Sequence, residues 1–351
     1  MAIILGIEST AHTFGVGIVS KGKVLSNCKD SFTTNSGGMI PMEVAKHHIQ
    51  VKDELYSKAI FEANVNEGDI EAIAFSQGPG LAPCLLEGIK FAKEISRKLN
   101  KPIIGVNHCV AHLEIGQITG AKDPVMLYAS GANTQIIAYE SGKYRIFGET
   151  LDLGVGNFID TIARYAGLGF PGGPKIQELA KEGKNFIELP YSVKGMDISL
   201  SGIQTKIKQL LDKKIYSLED ISYSLQENVF AMLVEVAERA VAHTGKKELL
   251  LGGGVACNSR LQEMCKKMCE ERSIEFFCPE RSLLVDNAAM IAYLGEIIFN
   301  NLLGDKNVLE SDLKKNPKNL FFPEDLDLVD ISPRQRTDDV LVTWKSKSQG
   351  L

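Results

Sequence analysis

Short apolar runs separated by polar turns open the chain, and the same order returns later. IILGIE, FGVGIV and a run beginning at VLSN predict three strands, joined by the turns STAHT and SKGK. PVMLYAS, QIIAYE and YRIFGET, with the turns GANT and SGK, repeat that order roughly 120 residues further along. Since only two copies occur and each is long, the pattern indicates a duplicated domain rather than a solenoid.

Helical periodicity marks the segments between and after these strands. It predicts helices over residues 41–63 and over LLEGIKFAKEISRKLN, FIDTIARYAGL and ISYSLQENVFAMLVEVAERAVAHTG. ELLLGGGVACNSRLQEMCKKMCEE predicts a strand, a glycine loop and a helix, and DNAAMIAYLGEIIFN predicts a helix with Asp286 at its start. AIAFSQGPG, PIIGVNH and EFFCP add further strands.

Two such halves, each with a polar turn after its first strand, predict an α/β protein with the duplicated actin-like ATPase fold. Its two lobes would enclose a nucleotide cleft, with the two first turns facing each other across it. We expect a first lobe over residues 1–123, with a helical insertion near 41–63, and a second lobe over 124–294. A helix over 295–325 would return to the first lobe, and 326–351 would form an extended tail or linker.

Composition narrows the class of protein. The 351 residues are 44% hydrophobic and 24% charged, as in soluble globular proteins, and no signal peptide or membrane span is predicted. The seven cysteines are scattered without a CxxC pair, which favours reduced thiols in a cytoplasm. The net charge of −5 gives no overall attraction to nucleic acid, so an RNA substrate would need a local basic patch or a partner.

Two glycine-rich loops are candidates for contact with phosphate. In LLLGGGVACNSRL three glycines precede a helix that begins near Asn258, and a helix N-terminus favours anions. The loop has neither P-loop nor Rossmann spacing, so a tight strand-to-helix turn is the alternative. FPGGPKIQ, residues 170–177, is a second rigid glycine pair that could be purely architectural.

Two carboxylates have open roles on sequence alone. Asp286, in LLVDNAAMIAYLG, could cap a helix beside Asn287 or bind a ligand. Asp160, in GNFIDTIARYAGL, has apolar neighbours and could lie near solvent or contact a ligand hydroxyl.

The stretch NHCVAHLEIG places His108 and His112 four residues apart, on one face if it is helical. Imidazoles so placed can bind Zn, Fe, Cu or Ni, although the bare pattern is more often structural. The spacing is that of HExxH, but Cys109 stands where a zinc protease has its Glu base, which argues against that class. The other histidines are predicted on helix surfaces (His47, His48, His243) or in the first turn, where the ring could face the cleft (His12).

Six motifs in one order together resemble a known family: GIESTAHTFGVGIV, NHCVAHLEIG, YASGANTQ, LDLGVGNFIDTIARYAGLGFPGGPKI, LLLGGGVACNSRL and LLVDNAAMIAYLG. The set resembles the TsaD/Gcp/Qri family of tRNA threonylcarbamoyladenosine (t6A) synthases. It is most similar to the archaeal and eukaryal branch, the catalytic subunit of the KEOPS complex. The resemblance covers nearly the whole chain.

The resemblance implies an activity, that of a metal-dependent tRNA N6-adenosine threonylcarbamoyltransferase. A threonylcarbamoyl group would pass from threonylcarbamoyl-AMP to N6 of the adenosine beside the anticodon in tRNAs reading ANN codons. Because N6 of adenine is a poor nucleophile, the acyl donor has to be activated, and a mixed anhydride with AMP as leaving group provides this.

Site residues are implied by the same resemblance. His108, His112, Tyr128 and Asp286 match the family's ligands to one iron or zinc ion per subunit, and His108, His112 and Asp286 are the expected catalytic group. Threonylcarbamoyl-AMP or an ATP/ADP-type nucleotide is expected to lie against Tyr128, Ser130, Gly131, Ala132, Asp160, Gly173, Gln177, Gly253, Gly254 and Asn258.

Two of the expected site positions depart from the family pattern. Ala132 replaces a glycine and adds a methyl group where the backbone would approach a phosphate, and Gln177 replaces an acidic residue, so a ribose contact there would be uncharged.

Partners are likewise implied by the resemblance. tRNA would bind through the complex, a Pcc-type dimerising subunit on the insertion near 41–63, and a Cgi-type subunit indirectly. An atypical small kinase/ATPase subunit would dock on the second lobe, and in some archaeal relatives it is fused C-terminally. We expect little activity from this chain by itself. Basic runs occur at 206–208, 213–214 and 314–315, but such runs are more often solvated faces than RNA sites.

Three other functions fit parts of the pattern: a small-molecule kinase on the same fold, a metalloprotease, and a non-catalytic ATP-binding scaffold. ATP-dependent phosphorylation that survives His108→Ala would favour the kinase. Nucleotide binding without acyl transfer under any partner combination would favour the scaffold.

Overall fold

The structure, a computed structural model, describes residues 2–34, 39–303 and 320–345. Its strands in these ranges are, in chain order, β1 (Ile3–Glu8), β2 (Thr13–Ser20), β3 (Lys23–Ser31), β4 (Ala72–Gly78), β5 (Ile103–Asn107), β6 (Val125–Ala129), β7 (Thr134–Glu140), β8 (Lys143–Glu149), β9 (Val193–Lys194), β10 (Asp197–Ile198), β11 (Glu248–Gly252), β12 (Glu275–Phe277) and β13 (Leu320–Phe321).

Six of these strands form the first sheet, in the order β13-β5-β4-β1-β2-β3. β1 pairs antiparallel with β2, with Gly6 opposite Gly17, and parallel with β4, with Ile7 opposite Phe75. Helices cover both faces of this sheet, so β1 is buried on both sides along almost its whole length. That burial explains why its sequence is a continuous apolar run without alternation.

The second sheet repeats this plan in the order β12-β11-β6-β7-β8. β6 occupies the place of β1, since it pairs antiparallel with β7 and parallel with β11. β7 pairs antiparallel with β8, as β2 does with β3. The duplication predicted from the sequence is therefore confirmed, strand by strand.

Ten α-helices connect the strands in the described ranges: α1 (Pro41–Ala63), α2 (Ala82–Leu99), α3 (His108–Ile115), α4 (Val155–Tyr165), α5 (Gly173–Glu182), α6 (Ser201–Lys213), α7 (Leu218–Thr244), α8 (Ser259–Arg272), α9 (Arg281–Leu284) and α10 (Ala288–Leu303). Local sequence fixes several ends. Pro41 occupies the first turn of α1, and Asn64 ends the helix in the left-handed conformation with φ 52°. The Ser217 side chain accepts a hydrogen bond from the amide of Asp220 at the start of α7.

The short helix α3 lies between the two sheets. All eight of its residues are buried. One apolar cluster contains Val110 and Leu113 of α3 together with Val106 of the first sheet and Met126 and Leu250 of the second. A helix that is buried on every side needs no amphipathic pattern. The buried polar side chains of α3 are therefore the candidates for a functional role.

Helix α10 packs on the first sheet, where glycines permit close approach. A Cβ at Gly6 would lie 2.4 Å from the carbonyl oxygen of Ala288, and one at Gly17 would lie 2.8 Å from the amide nitrogen of Ala289. The chain thus returns to the first sheet from Ala288 onward. The boundaries expected at 123/124 and 294/295 stay predictions, and residues 304–319 of the expected returning segment lie outside the described residues.

The C-terminal residues pack against the body of the protein. β13 pairs antiparallel with β5, 3-10 turns follow at Pro323–Leu328 and Thr337–Asp339, and Leu326, Val329 and Val342 are buried. None of the helices in the described ranges is long and apolar enough to cross a bilayer.

Candidate active site

Helix α3 presents two histidines toward one point. It follows β5 directly, and the side chain of Asn107 caps it by accepting a hydrogen bond from the amide of Val110 at 3.0 Å. His108 and His112 lie one turn apart with ring centroids 4.8 Å apart, and they are 5% and 2% exposed. The helical spacing of the pair is as expected from the sequence, and both rings face inward.

Asp286 meets both imidazoles. Its Oδ1 lies 3.4 Å from Nε2 of His108 and 3.5 Å from Nε2 of His112. The neighbouring Asn287 caps α10 instead, since its Oδ1 accepts a hydrogen bond from the amide of Met290 at 3.0 Å. The structure thus resolves the alternative left open by the sequence: Asn287 provides the cap, and Asp286 is available to the cleft.

A second carboxylate orients His108 by contacting Nδ1, the ring nitrogen that does not face Asp286. Glu8, at the end of β1, accepts a hydrogen bond from Nδ1 of His108 at 3.1 Å, and the hydroxyl of Thr10 lies 3.3 Å from the same nitrogen. With one proton held on Nδ1, Nε2 on the side of Asp286 is the nitrogen that could bind a metal ion after losing its own proton, the arrangement found behind metal-bound histidines. Sequence reasoning missed Glu8 and Thr10, although a charged residue ending the apolar strand IILGIE was a visible signal.

The protonation states in this cluster are strongly coupled. Burial opposes the charged form of His108, but the charge of Glu8 and the hydrogen bond with Asp286 outweigh it and hold the pKa of His108 well above its usual range. Burial also disfavours the charged form of Asp286, yet the two imidazoles beside it, with charged His108 foremost, hold its pKa well below its usual range. Burial lowers the pKa of His112, which is therefore the neutral imidazole of the pair.

The donor set fits a metal ion. Ligand atoms of His108, His112 and Asp286 all lie within 4.8 Å of one another. Nε2 of His112 is buried without a hydrogen-bond partner among the described residues, which is costly unless something binds there. Two imidazole nitrogens and a carboxylate oxygen suit zinc or iron. These three residues could therefore hold a metal ion.

Tyr128, the fourth expected ligand, is adjacent to this cluster. It lies on β6, is 1% exposed, and its ring centroid is 5.1 Å from that of His112. Burial raises the pKa of Tyr128 well above its usual range, so binding as a phenolate would require the positive charge of a bound ion.

The loop after β6 begins at Ser130, two residues beyond Tyr128. The carbonyls of Ser130 and Gly131 accept hydrogen bonds from the amides of Gly156 and Asn157, at 3.0 and 2.9 Å. These bonds tie the loop to the first turn of α4. Ala132 is exposed, so its methyl group has room.

Asp160 on α4 lies against the backbone of Gly172 and Gly173 at the start of α5. Oδ1 of Asp160 accepts a hydrogen bond from the amide of Gly172 at 2.7 Å, so one carboxylate oxygen already has a partner. Burial raises the pKa of Asp160, although hydrogen bonds and the charge of His12 oppose this. A Cβ at Gly173 would meet nothing within 4 Å, so this face of the loop is open. His12, in the first turn, packs edge-on against Phe170, with centroids 5.6 Å apart.

The triple-glycine loop after β11 requires a glycine at position 253. Gly253 has φ 86°, and a Cβ there would lie 2.4 Å from the carbonyl oxygen of Ala129. Gly254, the next residue, is exposed.

Asn258 and Gln177 already have protein partners. Oδ1 of Asn258 caps α8 through the amide of Arg260 at 2.9 Å, and its Nδ2 donates to Gln226. The side-chain amide of Gln177 donates to the hydroxyl of Ser259 at 3.2 Å. Any nucleotide contact at these two positions would be additional to a structural role.

The three histidines predicted on helix surfaces differ in exposure. His243 is exposed, as expected. The prediction for His48 was wrong, because His48 is 0% exposed and its Nε2 donates to the carbonyl oxygen of Ala11 at 3.0 Å. That acceptor belongs to the first turn, a contact the helical pattern of α1 could not reveal. His47, beside it, is half-buried and pairs with Asp30 at 2.7 Å.

Comparison with known proteins assigns the family. The model of the TsaD family, tRNA N6-adenosine threonylcarbamoyltransferase, matches residues 23–293. The chain belongs to the TsaD family. Among TsaD relatives, the tRNA N6-adenosine threonylcarbamoyltransferase of Thermococcus sibiricus is 53% identical over 342 residues, which are 97% of this chain and 100% of the relative.

Some TsaD relatives are longer. The probable bifunctional tRNA threonylcarbamoyladenosine biosynthesis protein of Methanosarcina mazei is 48% identical over 345 residues, which are 97% of this chain but 59% of that protein. The bifunctional protein therefore contains a further region that this TsaD chain does not match.

Solved structures confirm the actin-like fold of this TsaD chain. HypF of T. kodakarensis aligns with a TM-score of 0.57 at 16% identity, over 84% of this chain and 47% of HypF. The activator of the 2-hydroxyisocaproyl-CoA dehydratase from Clostridium difficile aligns with a TM-score of 0.52 at 12% identity, over 88% and 99%. At such identities the likeness concerns the fold alone.

Proposed function

We propose that the chain transfers the threonylcarbamoyl group of threonylcarbamoyl-AMP to N6 of the adenosine beside the anticodon in tRNAs reading ANN codons. The observation that carries this proposal is the convergence of His108, His112 and Asp286, with Nε2 of His112 buried and without a hydrogen bond among the described residues. Membership of the TsaD family supports the reaction class.

In the proposed reaction N6 of adenosine forms a bond to the carbamoyl carbon of the donor. The bond from that carbon to the phosphate oxygen breaks, AMP leaves with the electron pair, and N6 loses one proton. His108, His112, Tyr128 and Asp286 would hold one iron or zinc ion. When bound, the ion would supply Lewis-acid polarisation of the donor's carbamoyl end.

The residues around this centre would bind and orient the donor. Glu8 holds the proton of His108 on Nδ1, so that Nε2 faces the cleft. The second oxygen of Asp160 is proposed to accept from a ribose hydroxyl, and the open face at Gly173 leaves room for the sugar. The loop of Ser130, Gly131 and Ala132, with Gly253 and Gly254 beside it, is proposed to contact the phosphate and the base.

A positively charged residue near Asp286, Lys29, was not among the site residues expected from the sequence. Lys29, on β3, donates from Nζ to the carbonyl oxygen of Ser282 at 3.1 Å. Burial lowers its pKa, and the nearby charge of Asp286 opposes that shift. We propose that Lys29 adds positive charge on the side of the cleft where the phosphate of AMP would lie.

We propose that the chain acts as the catalytic subunit of a KEOPS-type complex in the cytoplasm. Its net charge of −5 is unfavourable for tRNA alone, and its cysteine usage suits a reducing compartment. The exposed apolar side chains Met42, Ile49 and Phe61 of α1 support docking of a Pcc-type subunit there. The longer bifunctional relatives support a kinase/ATPase partner.

The test supplies the chain and its partner subunits with threonylcarbamoyl-AMP and an ANN-decoding tRNA, and measures t6A by mass spectrometry of digested tRNA. We expect t6A with the wild type and with the surface variant His243→Ala, and none with His112→Ala. Absence of t6A with the wild type would contradict the proposal. Phosphorylation of a small molecule that survives His108→Ala would favour the kinase instead.

A further inference from the structure

The C-terminal segment 330–344, here called the strap, runs across the end of the first sheet. The side chain of Gln77 donates to the carbonyl of Asp330 at 2.8 Å, and the amide of Ser332 donates to the carbonyl of Gln77 at 2.8 Å. The amide of Gly80 donates to the carbonyl of Pro333 at 3.2 Å. The strap is thus held along the carboxyl end of β4, next to the start of α3.

The strap binds the residue that caps α3. Nδ2 of Asn107 donates to the side-chain oxygen of Gln335 at 3.1 Å and lies 3.3 Å from the carbonyl oxygen of Arg336. The other end of the same amide, Oδ1, accepts from the amide of Val110. One side chain therefore joins the strap to the first turn of the helix that carries His108.

The strap also binds the last turn of α3. Nε1 of Trp344 donates to Oε1 of Glu114 at 2.7 Å, and the hydroxyl of Tyr144 donates to the same oxygen at 2.5 Å. The side-chain amide of Gln117 donates to Oε2. Glu114 is 0% exposed, and a buried carboxylate is tolerated only when its oxygens are hydrogen-bonded. Its donors therefore determine where this end of α3 lies.

Between these two contacts the strap reaches the second sheet. The hydroxyl of Thr337 lies 3.3 Å from Oε1 of Gln135, and Leu341 forms a bridge with Lys143. Val342 is 2% exposed and belongs to the apolar cluster that surrounds α3. The strap therefore contacts both sheets as well as both ends of the helix between them.

We propose that the strap is a positioning element for α3, and that Gln335 and Trp344 are positioning residues for the two histidines. Held at its cap and at Glu114, the helix keeps Nε2 of His108 and of His112 facing Asp286. Ligand sites need such support because misplacement of a ligand by a fraction of an ångström weakens them. The link to catalysis rests on the proposed function, whereas the positioning of α3 does not.

The test compares Trp344→Phe with Asn301→Ala in the full chain. Trp344→Phe removes the N–H that reaches Glu114 and retains an aromatic ring. Asn301→Ala is the matched control, because it removes a 2.9 Å hydrogen bond from α10 to Thr343 of the same segment without touching α3. Gln335→Ala tests the other anchor.

Two readouts separate positioning from general stability. In hydrogen exchange, we expect the amides of α3 to exchange about tenfold faster in Trp344→Phe and Gln335→Ala than in Asn301→Ala. In titrations with Co²⁺ alone, we expect about tenfold weaker affinity, in the range seen for outer-shell changes, and an altered visible absorption spectrum. Both are measured well below the unfolding temperature of each variant.

The proposal would be overturned if the α3 amides exchanged at the same rate in Trp344→Phe and Gln335→Ala as in the control Asn301→Ala. Faster exchange with unchanged Co²⁺ affinity and spectrum would overturn the assignment of Gln335 and Trp344 as positioning residues for the histidines. A wild type that binds no Co²⁺ but shows faster exchange in the anchor variants would contradict the proposed metal site while supporting the positioning of α3. The two proposals can therefore fail separately.

Discussion

Replacement of Glu8 by glutamine tests the orientation of His108 most cleanly. Oε2 of Glu8 accepts from His108 at 3.1 Å, while Oε1 accepts from the amide of Thr10 at 2.7 Å and from its hydroxyl. Glu8→Gln keeps the size of the side chain but leaves one acceptor oxygen where two are used. Either His108 or Thr10 then faces an NH₂ group.

The expected cost follows from these contacts. A hydrogen bond that involves a charged group contributes about 1.5–3 kcal/mol, and loss of an outer-shell partner weakens metal binding by roughly 10- to 100-fold, or about 1.4–2.7 kcal/mol. The two ranges overlap. We therefore expect the apparent Kd for Zn²⁺ to rise by one to two orders of magnitude in Glu8→Gln.

The assay is competition for Zn²⁺ against a chromophoric chelator, with urea unfolding of each variant. The matched control is Glu296→Gln, since Glu296 is also a buried carboxylate that accepts from turn amides, those of Lys21 at 2.6 Å and Gly22 at 2.8 Å. That turn lies beyond the opposite end of β1, beside Ile3 rather than Glu8. Wild-type Zn²⁺ affinity in Glu8→Gln, or an equal loss in Glu296→Gln, would refute the reasoning.

Three further predictions concern stability and nucleotide binding. Burial lowers the pKa of His48 from 6.5 to about 4, so as the pH falls the unfolded chain binds a proton before the folded chain does. The stability present above pH 6.5 is therefore lost as the pH falls toward 4, by about 3 kcal/mol at most. Urea unfolding of His48→Gln should show a flatter pH dependence than that of the wild type. Asn258→Ala should lower the free energy of unfolding by about 1 kcal/mol more than Asn258→Ser, because both lose the donor to Gln226 but only Ser keeps a capping oxygen for α8; equal destabilisation of the two variants in urea unfolding would contradict the capping role. Asp160→Asn keeps an acceptor for Gly172 but removes the charge, so calorimetry should show roughly tenfold weaker AMP binding with unchanged unfolding; unaltered affinity would exclude a ribose contact.

Most of the fold could be predicted from the sequence, because local patterns determine it. The two three-strand repeats appear as β1–β3 and β6–β8, and the periodic segment from Pro41 to Ala63 is α1 with those same bounds. The spacing of His108 and His112 was also local information. Each of these features depends on residues close together in the chain.

The supporting contacts of the site could not be predicted, because they join distant segments. Glu8 and His108 are separated by 100 residues, and Glu114 and Trp344 by 230. Asp286 was a candidate both for a helix cap and for a ligand until the amide of Met290 was seen to donate to Asn287 instead. Tertiary contacts, rather than periodicity, decide such roles.

The central claim is that a metal ion required for acyl transfer to tRNA is held by His108, His112 and Asp286. Measuring metal content and t6A formation in the same preparations tests this claim most directly. Wild type, His112→Ala and the surface control His243→Ala are analysed by elemental mass spectrometry and then assayed with partner subunits, threonylcarbamoyl-AMP and tRNA. The account predicts about one iron or zinc ion per chain and t6A in the wild type and control, with both lost in His112→Ala. Undiminished t6A formation by metal-free His112→Ala would contradict it.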